Sequence, residues 1–411
     1  MALPLQVSIS SFKKGAFIMI EGKQESGSFF IVKNGSVRIS KEFKVDEDSD
    51  MTLTNGDFFG LISCMSGHPR EESAQAITET DLIEVADDQF GALIQNNAPI
   101  AMKIIRSFSK RLRYLDHKMT EVTGAEVVED DPAQLYEIGN YYNGIKQYNQ
   151  ALYAFIRYVQ YVPDGENTNN AKNKIQSLSP LAKDAMNPNN QQGLQKTFKD
   201  STVIFCEHEK GNELYILQQG QVKITKVLDN NEKLIAVLKP GDIFGEMAIL
   251  DDKPRSATAI AYGDINVMAV NNENFQAMVT SQPQLATKLI TLLSERLWTG
   301  FRQLANNLLK NPVGKLFDTL LLQVEKERIK IGKVPFTFEF GPKELVGMAG
   351  LPQDQGKIAF SEILKNKKFQ LVENGKKIRC TDLEELQKEV NIAKNMEMRE
   401  AARAKKEKSK A

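Results

Sequence analysis

Short runs of apolar residues, alternating with polar ones, dominate residues 198–275. Turn-forming pairs such as Pro240-Gly241 and Gly263-Asp264 separate these runs. Many short strands at this spacing are typical of a small antiparallel β-roll or barrel, and we predict one here. The runs lie at 203–205, 214–217, 222–224, 234–238 and 265–268.

A different period marks residues 284–309. Apolar side chains recur there at steps of three or four, which predicts a long amphipathic helix. The stripe suits pairing with the same helix of a second copy, so we predict a homodimer. Burial against the chain's own β-roll would give the same pattern. The stripe consists of Leu289, Leu293, Leu297, Phe301, Leu304 and Leu308.

Residues 131–163 change character, because seven of the ten tyrosines lie between 136 and 161. The small residues Gly139 and Ala151 fit a helix crossing, and Pro163 would end the second helix. This order of residues follows the spacing of one tetratricopeptide repeat and predicts a helical hairpin. A single repeat builds no groove, so the hairpin is either a packed spacer or a docking surface for a peptide partner. Residues 171–178 could form a capping helix, and residues 164–195 are otherwise predicted to be mostly a loop or linker.

The pattern of residues 35–112 repeats at 220–297 with a constant offset of 185. We therefore predict two copies of one domain. The matched pairs include Gly35 with Gly220, Phe59-Gly60 with Phe244-Gly245, Pro69-Arg70 with Pro254-Arg255, and Arg111-Leu112 with Arg296-Leu297.

Composition narrows the class of protein. The 411 residues leave room for three or four domains, and the net charge of zero indicates no partner. The three cysteines lie far apart and the three histidines form no triad, so we predict no disulfide framework, no metal site and no enzyme. No run approaches 18 apolar residues and no signal peptide is evident, which predicts a cytoplasmic protein without a membrane partner.

Residues 241–258 bring together groups suited to a cyclic phosphate and a ribose. Gly245 lets the backbone approach a ligand, and a helix that begins after it would direct N–H groups at an anion. Arg255 offers a planar fork for two phosphate oxygens. Glu246 can accept a hydrogen bond from a ribose 2′-hydroxyl. The alternative is a turn-rich β protein in which Arg255 makes a surface ion pair.

The order Phe-Gly-Glu-x-Ala followed by Pro-Arg-Ser-Ala resembles the phosphate-binding cassette of cyclic-nucleotide-binding domains. Such domains occur in the catabolite activator family, in protein kinase A regulatory subunits and in nucleotide-gated channels. The resemblance implies a cyclic nucleotide, with cyclic AMP favoured, as an allosteric ligand. It assigns the ligand to Gly245, Glu246, Met247, Ala248, Arg255, Ser256 and Ala257.

The resemblance does not identify the purine. Relatives often place Thr-Ser in the long helix where this chain has Gly300-Phe301. Adenine and guanine therefore both stay open, and the possible substitutes as purine contacts are Thr299, Arg302 and Gln303.

The first copy departs from this pattern where the ligand would bind. Leu61 replaces the glutamate that Glu246 supplies in the second copy, and Glu71 and Glu72 follow Arg70. Two carboxylates beside the phosphate position would repel a phosphate, and a lost charged hydrogen bond costs about 1.5–3 kcal/mol. We predict a degenerate, mainly structural domain; the alternative is a different ligand.

The C-terminal part resembles the winged helix-turn-helix of the catabolite activator family. A helix at 343–349, a turn, a helix at 353–367 and a wing turning at Asn374-Gly375 are predicted. Residues 310–380 hold fourteen basic and eight acidic residues, which favours a phosphate backbone. The predicted DNA contacts are Gln353, Asp354, Lys357, Lys376 and Lys377.

The motif is imperfect, because Gly356 stands where a β-branched residue is usual and the second helix has no arginine. A winged helix that makes protein contacts is therefore the alternative. Residues 391–411 hold seven basic and three acidic residues and are predicted to be a frayed, charged helix.

Together these patterns predict an α+β protein with two cyclic-nucleotide-binding β-rolls, an intervening tetratricopeptide-like α-hairpin and a C-terminal winged helix-turn-helix. The predicted function is a cyclic-nucleotide-responsive transcription regulator. The alternatives are a nucleotide-sensing scaffold and a regulatory subunit, both acting through protein contacts. The predicted boundaries are 1–122, 123–195, 196–310, 311–382 and 383–411.

Overall fold

The computed structural model describes residues 5–24, 27–41, 51–122, 131–182, 193–228, 231–250 and 253–408. Helices and antiparallel sheets both occur, as predicted. The chain divides into two compact units. Unit 1 contains Gly91–Leu293, and unit 2 contains Leu5–Phe90 together with Ser294–Ala411. The predicted domain boundaries stay predictions, since these units group segments that are distant along the chain.

The first copy begins with two antiparallel sheets, in the strand orders β1-β8-β3-β6 and β2-β7-β4-β5. Their strands are β1 (Ser8–Phe12), β2 (Phe17–Met19), β3 (Ser28–Asn34), β4 (Val37–Ser40), β5 (Met51–Leu53), β6 (Phe58–Phe59), β7 (Ser73–Ala76) and β8 (Thr80–Ala86). The helices are α1 (Leu61–Ser66), α2 (Phe90–Asn96) and α3 (Ala98–Val122).

The tyrosine-rich segment forms α4 (Leu135–Gly144), α5 (Tyr148–Tyr161) and α6 (Thr168–Leu178). A Cβ at Gly139 would lie 2.6 Å from the Phe155 ring, so the helix crossing requires a glycine. The hairpin shares a core with Val203, Cys206 and Ile260 of the second β-roll. This packing agrees with the spacer alternative, while the tetratricopeptide assignment stays a prediction.

The second copy forms one antiparallel sheet around β11 and β14. Its strands are β9 (Gln195–Phe198), β10 (Val203–Phe205), β11 (Glu213–Leu228), β12 (Asn231–Leu238), β13 (Ile243–Phe244) and β14 (Thr258–Asn271). The helices are α7 (Glu246–Leu250), α8 (Asn272–Ser281) and α9 (Pro283–Leu308). Gly220 has φ +82°, and a Cβ there would lie 2.6 Å from the Asp264 carbonyl oxygen, so only glycine fits this turn.

The predicted leucine stripe lies on α9. Leu289, Leu293, Leu297 and Leu304 are all buried within a single chain. Phe301 and Leu308 of the same stripe are only half-buried, so the chain itself covers most of the stripe, in agreement with the alternative of burial within the chain. The homodimer stays a prediction without a defined surface.

The C-terminal segment has a core to which every helix of the segment contributes. Its elements are α10 (Pro312–Lys326), β15 (Phe336–Phe338), α11 (Pro342–Met348), α12 (Gln353–Ile363), β16 (Phe369–Val372), β17 (Lys377–Cys380) and α13 (Leu383–Lys408). The strands form an antiparallel sheet in the order β15-β17-β16. Leu386 and Val390 of α13 are buried in the core, so the C-terminal helix begins as a packed element. The frayed, charged helix predicted at 391–411 stays a prediction, and residues 409–411 lie outside the described residues.

Candidate cyclic-nucleotide site

The predicted cassette is formed by α7 and the turn that enters β14. Gly245 has φ +73°, a backbone conformation that favours glycine, and α7 begins at the next residue. Glu246, Met247 and Ala248 are buried at the start of α7. Ser256 donates a hydrogen bond to the Met247 sulfur at 3.8 Å, while Ala257 is half-buried beside it. The structure thus brings the predicted cassette residues together.

Arg255 is the charged residue of this cassette, and it is only 4% exposed. Its Nη1 donates to the Gly245 carbonyl at 2.5 Å and its Nη2 to the Glu213 carbonyl at 2.7 Å. Nε is buried and has no hydrogen-bond partner among the described residues. A buried guanidinium with an unsatisfied donor suits an anion and excludes the alternative of a surface ion pair.

Two residues that complete this environment were not predicted from the sequence. Phe205 lies under the guanidinium, with its ring centroid 4.2 Å from Cζ of Arg255. A Cβ at Gly211 would lie 2.3 Å from Nε of Arg255, so a side chain there would displace the arginine. In the sequence, the only sign of this contact was Gly211 itself, a glycine in the loop between two strands, and that loop matched no known motif.

The loop before β11 also connects the cassette to the helical hairpin. The backbone N–H of Arg255 donates to the backbone carbonyl of Glu209 at 2.8 Å. Nε of Arg157 on α5 lies 3.4 Å from the carboxylate of Glu209. The Tyr153 hydroxyl also donates to this carboxylate at 3.4 Å. Burial raises the pKa of Glu209, although the charges of Arg157 and Arg255 oppose this shift.

Glu207, in the same loop, gives a testable pH dependence. Its side chain is buried, and burial raises its pKa from 4.5 to about 7, although it accepts a hydrogen bond from the Val227 N–H at 2.9 Å. The folded protein therefore retains a proton that the unfolded chain loses above pH 4.5. Stability should consequently fall as the pH rises from 4.5 to about 7.

The variant Glu207→Gln should remove this dependence. At pH 8 we expect its free energy of unfolding to exceed that of the unmodified protein by about 3 kcal/mol, because each pKa unit corresponds to about 1.4 kcal/mol. At pH 4 the two proteins should be nearly equal. Urea unfolding at both pH values measures this difference, and an equal pH dependence in both proteins would contradict the assignment.

The first cassette repeats the arginine geometry. Nη1 of Arg70 donates to the Gly60 carbonyl at 2.9 Å, and Nη2 donates to the Ser28 carbonyl at 2.7 Å. Nη1 also donates to the Ser63 hydroxyl at 3.0 Å, whereas Ala248 at the equivalent position has no such acceptor. The first arginine is thus held by an additional side chain.

The remaining surroundings of Arg70 also disfavour a phosphate. Leu61 is buried at the position of Glu246, and Glu71 and Glu72 are buried beside the arginine. Two carboxylates in a desolvated position would oppose a further anion. These contacts support the prediction of a degenerate first copy.

One of the candidate purine contacts on α9, Arg302, is held by ion pairs within the chain. Arg302 donates from Nε to Glu325 at 2.9 Å and from Nη2 to Asp318 at 3.1 Å. Burial opposes ionisation of Asp318, but the charges of Arg302 and Lys394 hold its pKa below the usual range. Arg302 is therefore held in a buried ion-pair network, and its assignment as a purine contact is not supported.

The predicted DNA contacts lie on exposed surface. Gln353, Asp354 and Lys357 are exposed on the first turns of α12, and Lys376 is exposed in the turn between β16 and β17. Lys377 differs, because its ammonium lies 2.8 Å from Glu339 and 2.8 Å from Glu373. Those two ion pairs compete with a DNA phosphate for Lys377.

Comparison with known families identifies the β-rolls. The cyclic nucleotide-binding domain matches residues 9–97 and again residues 195–282. The chain therefore carries two cyclic nucleotide-binding domains, which confirms the predicted duplication. Among the described residues, no group of His, Cys, Asp and Glu could hold a metal ion.

Individual relatives are similar to parts of this chain. The CRP-like cAMP-activated global transcriptional regulator of Mycobacterium tuberculosis is 24% identical over 191 residues, which are 46% of this chain and 84% of that protein. The cyclic AMP receptor protein of Thermus thermophilus is 34% identical over 104 residues, covering 25% of this chain and 48% of that protein.

A relative of another kind is the cAMP-dependent protein kinase regulatory subunit of Yarrowia lipolytica. It is 35% identical over 78 residues, which are 19% of this chain and 20% of that protein.

No helix in the described ranges is long and apolar enough to span a membrane.

Proposed function

We propose that the chain is a transcription regulator that binds a cyclic nucleotide, with cyclic AMP favoured, at the second β-roll and DNA through its C-terminal segment. The observation that carries this proposal is the buried Arg255, whose Nε lacks a partner among the described residues inside a complete cassette. The cyclic phosphate would bind Arg255 and the N–H groups at the start of α7. Glu246 would accept the ribose 2′-hydroxyl.

The likeness to the cAMP-activated regulator of Mycobacterium tuberculosis and to the cyclic AMP receptor protein of Thermus thermophilus supports this ligand. The C-terminal segment supports DNA binding as the response to the ligand. Helices α11 and α12 are joined by a short turn, and the β16-β17 hairpin follows in the manner of a wing. We propose that the start of α12 enters the major groove, where Gln353 can contact an adenine edge and Asp354 a cytosine edge.

Ligand binding would act by shifting the populations of existing conformations rather than by chemistry. Helix α9 follows the second β-roll and precedes α10 in the chain, so it is the segment through which occupancy would reach the C-terminal segment. A scaffold or regulatory subunit remains the second candidate, because of the likeness to the kinase regulatory subunit. In that case the C-terminal segment would contact protein.

DNA binding separates these candidates. With saturating cyclic AMP, selection from a random DNA pool should enrich a sequence, and retention should fall steeply with salt as phosphate contacts are lost. A single half-site is expected from one chain, and two half-sites one helical turn apart are expected from a homodimer. Absence of enrichment and of salt-dependent retention would favour the scaffold.

Variants test the individual contacts. Gln353→Ala should relax the preference at one base pair, at a cost of about 1–3 kcal/mol on the preferred site only. Lys376→Ala should weaken binding to all sequences about equally and flatten the salt slope. Lys377→Ala should have the smaller effect, since Glu339 and Glu373 already bind that ammonium. Equal behaviour of the glutamine and lysine variants would contradict specific reading of bases.

A further inference from the structure

Each β-roll is followed in sequence by a long helix, but the compact units group these helices differently. Helix α3, which follows the first β-roll, belongs to unit 1 together with the second β-roll. Residues of α9 from Ser294 onward belong to unit 2 together with the first β-roll. The second β-roll is thus grouped with α3 of the first copy, and the first β-roll is grouped with the part of α9 that begins at Ser294.

In unit 1, α3 packs against α7 and α8 of the second copy. Arg113 on α3 is 4% exposed, and its Nη2 donates to the Pro254 carbonyl at 3.2 Å. Pro254 directly precedes Arg255, the residue proposed to bind the phosphate. A helix of the degenerate copy therefore holds the backbone next to Arg255.

Unit 2 contains the equivalent contact. The offset of 185 relates Arg113 to Trp298 and Pro69 to Pro254. Trp298 is 1% exposed, and its Nε1 donates to the Pro69 carbonyl at 3.0 Å. Two different side chains therefore make the same contact at equivalent positions. This recurrence indicates a feature of the architecture rather than a chance hydrogen bond.

The first cassette has further contacts with side chains of unit 2. The His68 ring stacks on Trp298 with the centroids 3.9 Å apart, and its Nε2 lies 2.6 Å from the Glu295 carboxylate. Arg328, after α10, donates to the Ser66 carbonyl at 2.8 Å. The degenerate cassette thus binds protein side chains, whereas at the second cassette a charged arginine occupies the position of the tryptophan.

We propose that Arg113 is a positioning residue of the nucleotide site in the second copy, and that the first copy completes this site by supplying α3. This inference rests on the proposed function of the second cassette. By holding the Pro254 carbonyl, Arg113 restrains the turn and keeps Arg255 oriented toward the phosphate. A single chain then contains both the site and its covering helix.

The test uses the full chain and cyclic AMP. Arg113→Ala should weaken cyclic AMP binding about tenfold without changing the stoichiometry, which is the loss expected for one charged hydrogen bond. Arg113→Lys should retain part of the affinity. The matched control is Arg106→Ala, which removes an arginine from the exposed face of the same helix and should change nothing. Unchanged affinity in Arg113→Ala would overturn the proposal.

A second measurement does not depend on the ligand. Hydrogen exchange of residues 246–258 without nucleotide should be faster in Arg113→Ala than in Arg106→Ala, because the turn loses its restraint. Equal exchange in these two variants would also overturn the role of Arg113. Trp298, the single tryptophan, reports by its fluorescence whether unit 2 stays folded in each variant. Failure of the unmodified protein to bind cyclic AMP would contradict the proposed function instead, and the exchange measurement would still test Arg113.

Discussion

Arg255→Ala is expected to abolish cyclic AMP binding at micromolar concentrations, while Arg70→Ala leaves it unchanged. A phosphate bound at Arg255 would receive charged hydrogen bonds worth about 1.5–3 kcal/mol each, so losing two of them weakens binding at least a hundredfold. At Arg70 the equivalent loss is expected to have no effect on binding, because the buried Leu61, Glu71 and Glu72 disfavour a phosphate there.

The two variants form a matched pair. Both arginines donate to the carbonyl of a left-handed glycine and to a carbonyl at the start of a strand, and both variants lose these two contacts. Arg70→Ala also loses the hydrogen bond to the Ser63 hydroxyl. The general cost to folding should therefore be at least as large in Arg70→Ala as in Arg255→Ala, and calorimetric titration isolates the loss of the ligand. Equal cyclic AMP affinity in Arg255→Ala and the unmodified protein would show that the site assignment is wrong.

Gly356→Ala is expected to destabilise the C-terminal segment by about 1–3 kcal/mol, although alanine is the better helix former. A Cβ at Gly356 would lie 2.2 Å from Cγ1 of Val346, whose side chain is buried. Gly347→Ala is the matched control, because a Cβ there meets nothing within 4 Å. That variant should stabilise the segment by up to about 1 kcal/mol.

Urea unfolding of the full-length variants measures both effects, and their opposite signs are the expected result. The double variant Gly356→Ala with Val346→Ala should regain part of the lost stability, because the second change removes the clash. Equal effects of alanine at Gly356 and Gly347 would contradict the packing between α11 and α12.

The regular parts of the fold could be predicted from local sequence. Alternating apolar residues indicated the β-rolls, and the constant offset of 185 indicated the duplication. The cassette could be predicted because Gly245, Glu246 and Arg255 lie within a short stretch whose chemistry is local. The surroundings of Arg255 depend on few residues outside that stretch, chiefly Phe205 and Gly211.

Contacts between distant segments could not be predicted in this way. The leucine stripe of α9 shows that one face is buried, but the spacing does not say which surface buries it. In the sequence, Gly356 looked like a departure from the helix-turn-helix motif. The side chain that fills the space beside it is Val346, which lies ten residues earlier on another helix. Likewise, the contact between Arg113 and Pro254 joins residues 141 positions apart, beyond any periodic pattern.

The central claim is that one of the two copies binds a cyclic nucleotide and the other does not. Calorimetric titration of the full chain with cyclic AMP tests it most directly. We predict one bound nucleotide per chain, since the second cassette has Glu246 beside the buried Arg255, whereas the first has Leu61 at that position and the buried Glu71 and Glu72 beside Arg70. A stoichiometry of two would contradict the degenerate first copy, and no binding of cyclic AMP or cyclic GMP would contradict the account as a whole.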